Sequence, residues 1–224
     1  MEFDFLKTPA YKNITDFIDE IVVSIQSEDQ TINKKISDKL EDINKLVERI
    51  PLSIDKGRFA NPNASIVFTN ISSDNLYIQN SFGNSKRLDY GTGHELNFLC
   101  YCYEEYCKNN LKLNEIFNLL KMYWKVSRKF ISKFNLEPAG SKGTWTLDSY
   151  QLLPYVFGSA ESCLSMKDWY KDLLDDCKSV LALRMFSRHW SDITKDMIVM
   201  YKKEVLSRNV VTKSFIYSEY LRKE

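Results

Sequence analysis

The sequence predicts an all-α fold, and three observations predict it. Apolar residues recur at spacings of three and four through most of the chain, which lines one face of a helix. No stretch carries a run of alternating strands. Glycines are scarce: of seven in 224 residues, five fall in two short blocks between the periodic segments. Length alone allows one domain or a domain with a smaller appendage. Thr8-Pro9 sets a cap and then a proline at the first helical position, where no N–H is missed. The helix it opens carries Phe17, Ile18, Ile21, Val22 and Ile25. A second amphipathic segment runs through Ile32, Ile36, Leu40, Ile43, Leu46, Val47 and Ile50, and Pro51 ends it. Between Pro51 and Ser85, Pro62 and several asparagines and serines read as loops with a short strand or helix. Helices resume from Gly93 to about Cys107, and from about Asn114 to Phe134 through Ile116, Leu119, Leu120, Tyr123, Trp124, Phe130 and Ile131. Asp148 reads as the N-cap of a helix containing Pro154, with a kink expected there. The last helices are expected at about Asp168–Met185 and Thr194–Ser207.

Lys+Arg 31 against Asp+Glu 30 gives a net charge of +1, which offers no electrostatic case for nucleic acid or an anionic membrane. No window approaches the roughly 18 consecutive apolar residues of a membrane span. Met1-Glu2-Phe3-Asp4-Phe5 is acidic and holds no signal-peptide core. A soluble cytoplasmic protein is expected, with a nuclear pool left open. None of the five cysteines forms a C-x-x-C pair. Cys100 and Cys107, with Cys102 between them, lie on one predicted helix, where buried thiols act as small apolar residues. A structural zinc site needs four converging ligands. His94 and His189 are the only histidines and stand in no ligand-like spacing, so reduced core cysteines are expected.

The stretch Arg87-Leu88-Asp89-Tyr90-Gly91-Thr92-Gly93-His94-Glu95 carries the strongest chemical signal. Glycines that feed a helix N-terminus point several amides at one spot, where an anion can sit. Arg87 supplies a charge suited to phosphate. The alternative is a polar capping turn with Arg87 paired to Asp89 or Glu95, and the residues alone leave both open. Glu95 suits the positive end of a helix, and His94 reads as a hydrogen-bonding core residue. Asp89 has three readings: it orients Arg87, caps the turn, or reaches metal-bound water. A second block, Glu137 to Ala160, gathers three more glycines with Trp145, Tyr150, Tyr155 and Phe157. Such a loop either binds something or fills the core with its aromatics.

Taken together, the two blocks resemble the phosphotyrosyl phosphatase activator family, activators of the type 2A protein phosphatase. Further stretches fit. Pro51, Arg58-Phe59 and Asn61 resemble the family's proline segment and arginine-phenylalanine-glycine-asparagine motif, with Ala60 in the glycine's place. Trp190-Ser191, Met200-Tyr201-Lys202, Glu204 and Leu206 resemble its C-terminal helix, and Phe215 its closing segment. The resemblance covers roughly residues 8 to 221 in discontinuous blocks.

It implies an all-helical fold with core, linker and lid regions. The N-terminal helices and linker would run to about residue 86, and the core with its nucleotide cleft would follow from about residue 87. In such a fold the cleft binds ATP with magnesium, the protein docks on the type 2A phosphatase catalytic subunit, and peptidyl-prolyl isomerase activity is attributed to it. In position, Arg87, Thr92, Gly93 and Phe215 match the family's nucleotide contacts. Lys213 and Ser214 fall at neighbouring contacts with different residue types. Gly143 matches a magnesium-associated position, and Asp148 is the nearby carboxylate. Relatives carry two adjacent acids where this chain has Asp148-Ser149, and the second is the one linked to the metal. A further departure is length: only twelve residues separate Cys177 from Trp190. The implied role is an activator that binds the phosphatase with ATP and magnesium, with Trp145, Tyr150, Tyr155 and Phe157 as candidate walls for proline isomerisation. The alternative is a helical scaffold that has lost nucleotide or metal binding.

Overall fold

The structure, a computed structural model, describes residues 4–25, 31–55, 59–71, 73–140, 147–177 and 188–224. Among them run a 3-10 turn Phe5–Lys7, α1 Pro9–Ile25, α2 Lys34–Arg49, α3 Ala64–Asn70, α4 Leu76–Asn80, β1 Asp89–Tyr90, α5 Thr92–Cys107, α6 Leu113–Phe134, β2 Glu137–Pro138, α7 Leu153–Ser162, α8 Asp168–Asp176 and α9 Trp190–Tyr201. α9 continues into a π turn, Lys202–Leu206, and α10 follows at Asn209–Thr212. The fold is all-α, and its one sheet among these residues is the two-residue parallel pair β1–β2. The chain divides into two compact units: Gln30–Ala139, and Met1–Asp29 with Gly140–Glu224.

The continuous unit is built on α6, a long helix whose buried stripe includes Ile116, Leu120, Tyr123, Phe130 and Phe134. α2 packs against it. Asn33 caps α2 by accepting the Ile36 N–H at 3.2 Å. At the other end of α2, the Lys133 ammonium of α6 donates to the carbonyls of Val47, Glu48 and Ile50. A cation there answers both the orphan carbonyls and the negative end of the helix dipole. Asn135 ends α6 in the left-handed conformation, φ 51°, which asparagine tolerates better than most residues. Inside, Tyr123 stacks on Phe98 at 4.0 Å and donates to the Ser81 carbonyl at 2.6 Å. Its single proton is thereby used, so Tyr90 donates across the 2.6 Å contact between the two hydroxyls. The loops expected between Pro51 and Ser85 contain two short helices, α3 and α4.

The discontinuous unit packs α7 against α9 and α1. α7 is buried along its whole length. Gly158 is required there, because a Cβ would stand 2.2 Å from the Tyr170 ring of α8. Thr194 of α9 donates to the Ser159 hydroxyl at 3.0 Å. Thr8 caps α1 as expected, accepting the Tyr11 N–H at 3.1 Å. The C-terminal segment then closes on α1: the Ala10 N–H donates to the Arg222 carbonyl and the Asn13 amide to the Tyr220 carbonyl, each at 3.1 Å.

Three helix boundaries differ from expectation. α7 begins at Leu153, so Pro154 falls in its first turn and produces no kink. α8 ends at Asp176; residues 178–187, which the expected helix to Met185 includes, lie outside the described ones. α9 starts at Trp190, before the expected Thr194. No helix among the described residues is long and apolar enough to cross a membrane. All five cysteines are free, and burial pushes the Cys100 and Cys102 thiols up, so they remain protonated.

Candidate functional site

The turn leading into α5 is set by a glycine upstream of the block singled out in the sequence. Gly83 sits at φ 122°, and a Cβ on it would stand 2.4 Å from the Asp89 carbonyl oxygen. Asn84 follows, and its side-chain oxygen accepts the N–H groups of Lys86 and Arg87, each at 3.0 Å. Its own N–H donates to the Asp89 carbonyl, and its carbonyl accepts from Leu88. Leu88 is thereby held at φ 52°, which costs a leucine about 1–2 kcal/mol. Its carbonyl accepts the Glu137 N–H at 3.1 Å, and the Tyr90 carbonyl accepts that of Ala139 at 2.7 Å. These bonds tie the turn to β2.

Gly91 has extended backbone, φ −171°, which any residue can adopt. Close approach favours glycine here instead: a Cβ would sit 3.0 Å from the Ala139 Cβ and 3.1 Å from its carbonyl oxygen, so Ala139 would have to give by a few tenths of an ångström. The Gly91 carbonyl accepts from His94 and Glu95 and opens α5. The Gly93 N–H makes no hydrogen bond with any described residue. Thr92 is buried at 2% exposure, so its side chain faces protein.

Arg87 makes the pairing that the capping-turn reading expects: its Nε donates to Asp89 Oδ2 at 2.5 Å. Its two terminal nitrogens take no partner among the described residues, and the side chain is 61% exposed. Asp89 is buried, and His94 Nε2 lies 3.9 Å from its Oδ1, too far for a hydrogen bond. Burial pushes the Asp89 carboxyl up, but His94 and Arg87 beside it outweigh that effect and hold it below the usual carboxylate range. Of the three readings of Asp89, the orienting of Arg87 is the one its contacts display. His94 is tied through Nδ1 to the Asn80 carbonyl at 2.7 Å.

The remaining candidates belong to the other unit. Asp148 does not cap α7. Its Oδ1 accepts the N–H groups of Tyr150 and Gln151 at 2.7 and 3.1 Å, and its Oδ2 accepts the Tyr155 hydroxyl at 3.1 Å. It therefore caps the turn before that helix. Gly143, Trp145 and Arg58 lie outside the described residues. Lys213 and Ser214 are exposed after α10, and Lys213 makes no ion pair with a described residue. Phe215 packs its ring on Phe5 and Tyr217, both at 4.9 Å. Among the described residues no three His, Cys, Asp or Glu side chains group as a metal site. Asn61 braces its loop, accepting from Ser53 and Asn63 through Oδ1, while the neighbouring Ala60 is buried. Sequence reasoning missed Gly83, Asn84 and Leu88. The Gly83-Asn84 pair was a readable turn signal; Leu88 carried none.

Comparison with known proteins agrees with the fold. A family model described as "Phosphotyrosyl phosphate activator (PTPA) protein" matches residues 69–186. The chain is 43% identical to the serine/threonine-protein phosphatase 2A activator of Encephalitozoon cuniculi, covering 99% of this chain and 95% of that one. It is 31% identical to the serine/threonine-protein phosphatase 2A activator 2 of Saccharomyces cerevisiae, over 65% of this chain and 51% of the yeast protein. A solved crystal structure of a PP2A phosphatase activator superposes with a TM-score of 0.78 at 20% identity, covering 96% of this chain and 88% of that one, and so shares the fold. With a family model spanning more than half of its length and a near-full-length relative at 43% identity, the chain belongs to the phosphotyrosyl phosphatase activator family.

Proposed function

We propose that this protein activates the catalytic subunit of the type 2A serine/threonine protein phosphatase, with the phosphates of ATP resting on the turn that opens α5. The near-full-length relative at 43% identity, itself named a phosphatase 2A activator, supports the activator role. The nucleotide reading is carried by Arg87. A guanidinium held through Nε by a buried, ionised carboxylate loses less freedom when its other nitrogens engage a phosphate. The unpartnered Gly93 N–H adds a donor at the positive end of α5. Thr92 is buried, so it would act by holding that helix start in place.

Magnesium would supply charge neutralisation to the triphosphate. The resemblance would give Asp148 a part in holding that magnesium, directly or through water, since a carboxylate is a ligand of the type the ion takes. An activator shifts its partner only by binding one state of it better than the other, and no covalent step by this chain is required.

Arg87→Ala tests the reading. ATP affinity should fall about tenfold to a hundredfold, measured by calorimetry with and without magnesium, and activation of the phosphatase subunit should fall with it. Unchanged ATP affinity refutes the turn as the anion site. Full activation without nucleotide favours the bare scaffold, and no activation by the wild type removes the activator role. Proline isomerisation is a separate proposal that rests on the resemblance. Tyr155 and Phe157 are buried within α7, which leaves half-buried Tyr150 as its described aromatic candidate. A proline-peptide assay on Tyr150→Ala decides whether that ring takes part.

A further inference from the structure

α2 does not bury its whole apolar face. Between it and α3, α4 and α5, within the continuous unit, lies a cavity of about 320 Å³. Its walls include Leu40, Ile71, Ile78 and Phe98, all of them buried. The polar residues of the same hollow are Lys39, Asp42, Arg49, Asn70, Ser73 and Tyr101. Tyr101 is only 5% exposed, yet its hydroxyl bonds to no described residue. Lys39 and Arg49 likewise make no ion pair with a described residue.

The charges around them are otherwise answered. Asp42, the acidic residue of the lining, faces Lys45 at 3.4 Å, and Glu48 pairs with Lys129. Glu104 and Glu105, whose charges reach Tyr101, face Lys108 at 3.5 and 3.7 Å. Burial, aided by Glu105, pushes the Tyr101 phenol up, so it stays a donor at ordinary pH. An apolar hollow with a few converging polar groups is the usual form of a small-molecule site. Its two cations, Lys39 and Arg49, outnumber its one acid, Asp42, which already faces Lys45, and that balance favours an anion.

We propose that this cavity binds a small amphipathic organic anion, a carboxylate on an apolar body. The Arg49 guanidinium and Tyr101 hydroxyl donate to the carboxylate, Lys39 adds its charge, and the apolar walls take the body. A volume of about 320 Å³ lies at the small end of the range for ligand pockets, which suits a body of about ten non-hydrogen atoms. The site is independent of the nucleotide turn, and its test involves neither ATP nor the phosphatase.

Octanoate is a probe of that size, and octanol is its neutral counterpart. Octanoate titrated into the full-length protein by calorimetry should bind saturably at one site. The methyl resonances of Ile71 and Ile78 should move with the same isotherm. Arg49→Gln, at an exposed position, should weaken octanoate about tenfold and leave octanol unchanged. Tyr101→Phe, which keeps the ring, should also weaken octanoate. If Tyr101→Phe proves unstable by its melting temperature, Arg49→Gln alone decides. The proposal is overturned if octanoate does not saturate, if it moves other methyls instead, or if it binds no better than octanol and ignores Arg49→Gln. It is also overturned if a short acidic peptide with apolar residues binds here and octanoate does not, which would make the hollow a surface for a partner chain.

Discussion

Asp89 is a buried carboxylate with Arg87 on one oxygen and His94 near the other. Burial alone would raise it; its two basic neighbours reverse the sign and leave it lowered when folded. An acid with a lowered folded value contributes stability above its unfolded value, near 3.9, and loses it as pH falls through the folded value. Urea midpoints taken at pH 7 and pH 3 should therefore converge for Asp89→Asn relative to the wild type, and equal acid losses in both would refute the assignment. At neutral pH the same substitution should cost about 1–3 kcal/mol through the weakened charged hydrogen bonds. Gly83 works on the same turn through backbone alone. Gly83→Ala should cost about 2–3 kcal/mol by denaturant unfolding, since the atom its Cβ meets is the fixed Asp89 carbonyl. Gly140 gives the contrast. It too has positive φ, 86°, but nothing lies within 4 Å of an added Cβ, so alanine there should cost only about 1 kcal/mol.

Helices α1, α2, α5 and α6 were legible because periodicity and end signals agree in each. Thr8-Pro9 opens α1, Pro51 follows α2, and the Gly91–Gly93 turn opens α5. α7 shows where that agreement fails. Every residue of it is buried, so no polar face marks its ends, and Asp148 drew the expected start toward itself although it caps a separate turn. The β1–β2 pair was not legible either: two residues give no alternation to read, and their partners lie far apart in sequence. In the candidate site the Arg87–Asp89 pairing and the helix start were readable, whereas the strained Leu88 depends on bonds from Asn84 and Glu137. Gly158 makes the same point energetically. Helix propensity alone favours alanine there by about 1 kcal/mol. The Tyr170 ring, fully buried and within 2.7 Å of the added Cβ at three atoms, makes overpacking worth about 1–3 kcal/mol in the other direction. Gly158→Ala should therefore lower the melting temperature; a rise would show that the ring moves aside freely.

At the scale of the whole chain, one unit is continuous in sequence and the other joins both ends of it. The discontinuous unit brings together segments nearly the full chain length apart, so closing it costs loop entropy that only packing can offset. That packing is identifiable. Leu221 is fully buried, beside the Tyr220 and Arg222 carbonyls that accept from Asn13 and Ala10 at the start of α1. Phe215 sets its ring on Phe5, just before the same helix. A buried leucine truncated to alanine costs about 2–5 kcal/mol, according to how far the site collapses. If the C-terminal segment holds α1 in place, Leu221→Ala should expose the first turns of α1 through a local opening before the molecule unfolds globally. Hydrogen exchange reads this directly: the amides following Pro9 should exchange at least about tenfold faster in Leu221→Ala. Faster exchange spread evenly over all helices would mean that Leu221 supports the fold only in general, and unchanged exchange in α1 would show that its backbone bonds to the C-terminal segment contribute no closure at all.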